Sequence, residues 1–204
     1  MADYTKKGLF YLIVGLSLVI ISDLISMFYY RKIQTTIIPF FSFWIFILII
    51  IGLIYMLLGR KEFSERHQKF IVIAFMLYIL TIILTIIIYA IFVSISSLNL
   101  DIIRSLIYIS PILAVLTGIF YLFLLFELED KIGKIVLYIA FISSIVISIY
   151  IAISSNSAFD KLLSLEYTVD NFISEINFIG GLGIISNALY IIALLNPYYR
   201  LSTN

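Results

Sequence analysis

The chain contains no cysteine, a single histidine and 3 prolines, and Asp, Glu, Lys and Arg together make up only 12% of its 204 residues. Without cysteine there are no disulfides, no thiolate metal sites and no cysteine nucleophile. One histidine is too few for a multi-histidine metal cluster or for paired haem ligands. With 13 Lys and Arg against 12 Asp and Glu, the net charge is +1. That leaves no basic field to draw in nucleic acid, which is therefore not an expected partner. The scarcity of charge excludes more: at 63% hydrophobic residues, the chain lacks the polar surface that a soluble globular domain needs.

Enzyme signatures are missing as well. There is no His-Glu-x-x-His zinc helix, no Gly-x-Ser-x-Gly elbow, no phosphate-binding loop, and no second intramembrane carboxylate to form an aspartyl dyad with Asp23. The sequence thus implies neither catalysis nor a cofactor or metal.

What is present is apolar sequence in long runs bounded by charge. Six runs, at approximately 8–30, 39–58, 70–93, 102–126, 135–153 and 178–195, approach the roughly 20 residues that a helix needs to cross about 30 Å of hydrocarbon. In lipid such runs must close their own backbone hydrogen bonds, which favours helices, and the polar–apolar alternation of barrel strands is absent. The first run follows Lys6 and Lys7 but is too long for a cleaved signal, so it reads as a retained helix. The expected fold is an all-α polytopic membrane bundle, a single domain over 1–204, with the lipid bilayer as its first partner.

Cations decide the orientation. Lys6, Lys7, Arg60, Lys61, Arg66, Lys69, Lys131, Lys134 and Arg200 fall on one side of six spans, and Arg31, Lys32, Arg104 and Lys161 on the other. The bias places both termini in the cytoplasm and the protein in the cell membrane. The connection at 154–177 is the only long one. Over 159–176, Phe159, Leu162, Leu163, Leu165, Val169, Phe172, Ile173 and Ile176 share one half of a helical wheel, opposite Asp160, Lys161, Ser164, Tyr167, Asn171, Ser174 and Glu175. This predicts one amphipathic helix lying at the outer interface or capping the bundle.

Polar residues inside the spans are few. Asp23 is the only carboxylate well inside one, where an ionised group costs roughly 2.5–3.5 kcal/mol on insertion scales unless paired or wetted. Arg104, near the outer start of the fourth span, can snorkel toward it, and Asn187 in the sixth must also find a partner. Two readings stand for Asp23, Arg104 and Asn187: a structural pairing, or a polar site on a transport route. Ala140, Ser144, Ser148 and Ala152, spaced by four, form a stripe that lets a neighbouring helix approach. Gly180, Gly181 and Gly183 open the sixth span, and Pro111 sits inside the fourth, where it can kink the helix.

Two loops on the cytoplasmic side carry opposite charge. The first, 59–69, is basic, and His67 falls there in a solvated turn; the second holds Glu127, Glu129 and Asp130, so the two attract each other. The step Gly59-Arg60-Lys61-Glu62-Phe63, the opening Gly180-Gly181-Leu182-Gly183 and the closing Pro197-Tyr198-Tyr199-Arg200 resemble uncharacterised archaeal multi-pass membrane proteins. That resemblance implies a membrane bundle and carries no residue role with it. The functional expectation is a non-enzymatic accessory or structural component that associates with itself or with a larger membrane assembly; the alternative is a small transporter or channel.

Overall fold

The computed structural model describes residues 3–33, 37–94 and 108–203, and every regular element in them is helical. In chain order these are α1 (Asp3–Ile33), α2 (Ile37–Gly59), a 3-10 turn (Arg60–Glu62), α3 (Glu65–Ser94), α4 (Ile109–Leu125), α5 (Lys131–Leu163), α6 (Val169–Gly181) and α7 (Gly183–Thr203). The helical bundle expected from the sequence is thus observed. Four stretches are long and apolar enough to cross a membrane, Asp3–Met27, Glu65–Ile87, Lys131–Leu163 and Val169–Ser202, the last combining α6 and α7. Phe43–Gly59 and Pro111–Leu125 are shorter apolar helices. By length and composition the described residues therefore supply four such helices where the sequence suggests six spans. The first part of the expected fourth span, 102–107, lies outside the described residues.

Spatial order differs from chain order. α2 packs on α1, α1 on α7, α7 on α5, α5 on α4 and α4 on α3, while α2 and α3 touch lightly. α6 lodges against both α1 and α5. Two seams in this series are built differently. Along α1–α2 the backbones meet: a Cβ on Gly8 would lie 2.8 Å from the Gly52 carbonyl oxygen, and one on Gly15 would lie 2.9 Å from the Ile49 side chain. Glycine is needed there because no other residue leaves room for the facing helix. Along α3–α4 aromatic rings fill the space instead, Phe70 against Phe123 at 5.0 Å and Tyr78 against Phe120 at 5.5 Å between centroids.

α5 shows how the sequence selects its faces. Gly133, Leu137, Ala140, Ser144, Ala152, Ser155, Ala158 and Phe159 are buried, whereas Ile132, Ile135, Ile139, Ile142, Val146, Ile149 and Ile153 are exposed. Both sets recur at helical spacing. The small residues pack inward and the large apolar ones face out, so the small-residue stripe of the sequence is a packing face. That arrangement is the reverse of a soluble protein and suits an apolar surrounding.

Three expectations are corrected. The amphipathic segment 159–176 is not one helix: α5 continues to Leu163, a turn follows, and α6 starts at Val169. Leu165 takes a left-handed conformation (φ 61°) in that turn. The Thr168 side chain then accepts a hydrogen bond from Asn171 N at 3.2 Å, a cap that starts a new helix rather than prolonging the old one. Second, Gly180 and Gly181 close α6, and only Gly183 opens α7. Third, Pro111 lies in the first turn of α4 as described, a position where its missing N–H costs nothing.

Candidate functional site

Asp23 faces α7 from the second half of α1. It is half-buried, and the Asn187 side-chain amide donates a hydrogen bond to its carboxylate. One turn further along α1, Met27 fills the space over Gly181, where a Cβ would lie 2.8 Å from the Met27 sulfur. The α6–α7 junction is thereby held against α1 beside the polar pair. Of the three residues singled out in the sequence, the structure brings Asp23 and Asn187 together; Arg104 lies outside the described residues.

A second polar contact sits at the centre of the bundle. The Ser144 hydroxyl on α5 donates to the Phe141 carbonyl at 2.8 Å. Its single proton being used, the Tyr190 hydroxyl of α7, 3.3 Å away, is the donor between the two side chains. Tyr190 in turn stacks on Tyr121 of α4 with centroids 4.4 Å apart. Small, polar and aromatic side chains from three helices therefore lock one another in place.

The charged end gathers both termini of the described chain with the two charged loops. Lys6 lies 5.8 Å from the Tyr198 ring centroid, and Arg200 donates to the Leu128 carbonyl at 3.3 Å. Arg66 pairs with Glu127 at 3.3 Å, so the basic and acidic loops do meet. His67 is not in solvent as the sequence suggests: it is 1% exposed, its ring centroid 4.9 Å from that of Phe63. Ser64 accepts a hydrogen bond from His67 N at 3.2 Å and caps the start of α3. The fourth and later positions, Ile71 and Ala74, continue the same buried stripe. The histidine is thus the first inward residue of α3, a register visible at 67, 71 and 74 once the helix is known to begin at Glu65.

In the sequence Glu129 is one carboxylate of an acidic loop, yet in the fold it is 5% exposed. Asn196 Nδ2 donates to its Oε2 at 2.6 Å. Burial pushes the Glu129 carboxyl up to about 7, opposed by the Asn196 hydrogen bond. Its neighbour Asp130 stays low, because its side chain accepts from Gly133 N at 2.7 Å as the cap of α5. Gly133 is required at this point: a Cβ would strike the Glu129 carboxylate and come within 2.5 Å of Asn196 Nδ2. The remaining unpartnered buried atoms among the described residues include both His67 ring nitrogens, Glu129 Oε1, and, away from the charged end, Asn156 Oδ1 on α5 and Asn177 Nδ2 on α6.

Nothing in this arrangement resembles a metal centre: among the described residues no group of three or more His, Cys, Asp or Glu side chains is placed to hold an ion. Asp23 with Asn187, Tyr190 with Ser144, and Glu129 with Asn196 each join two elements distant in sequence. No family model, curated protein or solved structure matches the chain.

Proposed function

We infer that the chain is a non-enzymatic integral protein of the cell membrane, acting as an accessory or structural component that associates with copies of itself or with a larger membrane assembly. The observation that carries this reading is the use made of the interior polar groups. Asp23 bonds Asn187, and Tyr190 bonds Ser144. Each is a bond between helices, which suits cross-linking better than lining a route.

Six crossings with both termini cytoplasmic are part of the same proposal. The N-terminus of α1, the turn after α2, the loop after α4 and the end of α7 lie at one end of the bundle. An even number of crossings accounts for that, with α6 and α7 sharing the last descent. The same end carries most of the Lys and Arg, as the cytoplasmic side does. Because the chain has no cysteine, single introduced thiols test the topology directly. Glu65→Cys is expected to react only from the cytoplasmic side and Asp160→Cys only from outside; the reverse pattern refutes the orientation.

Co-purification from native membranes tests the role, with a stoichiometric partner or a defined oligomer as the expected result. Flux measured in liposomes over a panel of ions and small solutes provides the opposing outcome. A flux that Asp23→Asn abolishes without loss of folding would replace this reading with that of a small transporter.

A further inference from the structure

At the charged end an open groove of about 300 Å³ runs along the outside of the bundle. Phe70 of α3, Ile119, Leu122 and Phe123 of α4, and Phe126 and Tyr138 wall it, with Arg66 at its mouth. From Phe126 to Ile119 the groove descends seven helical residues, roughly 10 Å at 1.5 Å per residue. Its walls are largely apolar, and its charge is confined to the top.

Two cations sit there over the same ring. The Arg66 guanidinium carbon is 5.2 Å from the Phe70 centroid and 5.9 Å from that of Phe126, and Lys134 Nζ is 4.4 Å from the Phe126 centroid. Glu127 engages Arg66 through Nε. The terminal amino groups of the guanidinium are left to donate elsewhere, in the fork geometry that suits phosphate oxygens. Phe126 thus fixes the heads of both cations at the level where the apolar walls begin.

We propose that this groove is a binding site for one anionic glycerophospholipid of the cytoplasmic leaflet, its phosphate held between Arg66 and Lys134 and an acyl chain laid along Phe70, Phe123 and Ile119. The proposal rests on the membrane reading above. It differs from general attraction of a basic surface to anionic lipid, because Arg66 lines the channel and Lys134, though not itself a wall residue, sits over the ring of Phe126, which is one. Arg60 and Lys61 lie at the same end but neither line the groove nor sit over one of its rings, so their charges supply the comparison.

The test is native mass spectrometry of the full chain in mild detergent, with phosphatidylglycerol, acyl-matched phosphatidylcholine and acyl-matched diacylglycerol as probes. The wild-type chain retains phosphatidylglycerol over phosphatidylcholine on the order of tenfold, as two nearby cations allow. The double variant Arg66→Gln with Lys134→Gln loses that preference, whereas Arg60→Gln with Lys61→Gln keeps it. Ile119→Trp, which fills the channel, lowers retention of all three probes.

Equal retention of the charged and zwitterionic lipids by the wild-type chain overturns the proposal, and so does an equal loss in the two double variants. A thermal melt of each variant confirms that it is folded; if Arg66→Gln with Lys134→Gln is not, Arg66→Lys, which keeps charge but not the fork, must reduce retention severalfold. Alkaline carbonate separates the two failures. A chain released from membranes by carbonate refutes the membrane reading itself, whereas one that stays embedded yet ignores lipid charge refutes only the site.

Discussion

The α1–α2 and α3–α4 seams solve the same packing problem in opposite ways. On α1–α2 the close approach is made by removing side chains, with Gly8, Gly15 and Gly52 on the facing surfaces. On α3–α4 it is made by filling space with rings, Phe70 on Phe123 and Tyr78 on Phe120. In an apolar solvent, burying an apolar side chain gains little over leaving it in lipid, so contact geometry decides stability. A glycine seam is then intolerant of added atoms, and an aromatic seam of lost ones.

The sharpest way to break this contrast is Gly8→Val. Its side chain would meet the Gly52 backbone and Met56, and backbone cannot rotate aside. A loss of about 3 kcal/mol or more is expected, or failure to obtain monodisperse protein. Thermal unfolding in detergent measures it, and an unchanged midpoint would show that the seam is looser than described. The complementary change, Phe120→Ala, removes a ring that is 2% exposed. Its expected cost is about 1–3 kcal/mol, below the 3–5 of an aqueous core because the transfer term is largely absent. A larger effect from Phe120→Ala than from Gly8→Val would reverse the ranking of the two seams.

The polar seams rank below these. Asp23→Ala leaves the Asn187 amide without its acceptor and is expected to cost about 1–2 kcal/mol, the lower part of the range for an unsatisfied buried group because Asp23 is only half-buried. Asp23→Asn, which still offers a carbonyl oxygen, restores most of it. Equal losses in both variants would mean that the negative charge, rather than the hydrogen bond, joins α1 to α7.

Glu129 tests the other end by pH. Its carboxyl is raised from 4.5 to about 7 in the folded chain, so between those values the folded state holds a proton that the unfolded state has released. Stability is then highest below the unfolded value and is lost as pH rises through about 7. The unfolding midpoint in detergent is expected to fall across that window, and Glu129→Gln to flatten the slope. A midpoint that rises with pH would show the carboxylate to be stabilised by Lys134 and Arg200 instead. The smallest effect belongs to Leu165, left-handed and 89% exposed. Leu165→Gly is expected to stabilise by up to about 1 kcal/mol, since relief of the αL penalty is partly offset by the freer unfolded chain. Destabilisation on the same melt would mean that the leucine makes a contact its exposure does not reveal.

The helical class is legible in the sequence because an apolar run of that length has few alternatives. The inward stripe of α5 is legible for the same kind of reason: Ala140, Ser144 and Ala152 recur at multiples of four and are small in a helix otherwise rich in isoleucine. What was hidden depends on where helices begin. His67 reads as a loop residue until Ser64 is recognised as a cap, and Thr168 hides a second helix start inside what looks like one amphipathic segment. The Glu129–Asn196 contact joins residues 67 apart, and no local spacing signals it. Asp23 and Asn187 could be nominated because each is conspicuous in its span, whereas their meeting required the packing of α7 on α1.

The length of α5 has a practical corollary. Its 33 residues make a rod of about 50 Å, some 20 Å more than a hydrocarbon core requires. The surplus, with α6 folded back along it, would stand clear of the bilayer as a stalk whose tip is Leu165. A protease added from that side would meet this tip before any other described turn, and one cut there would leave two fragments, the second with α7 as its membrane helix, still packed between α1 and α5. The stalk is thus a natural position for splitting the protein into complementary halves.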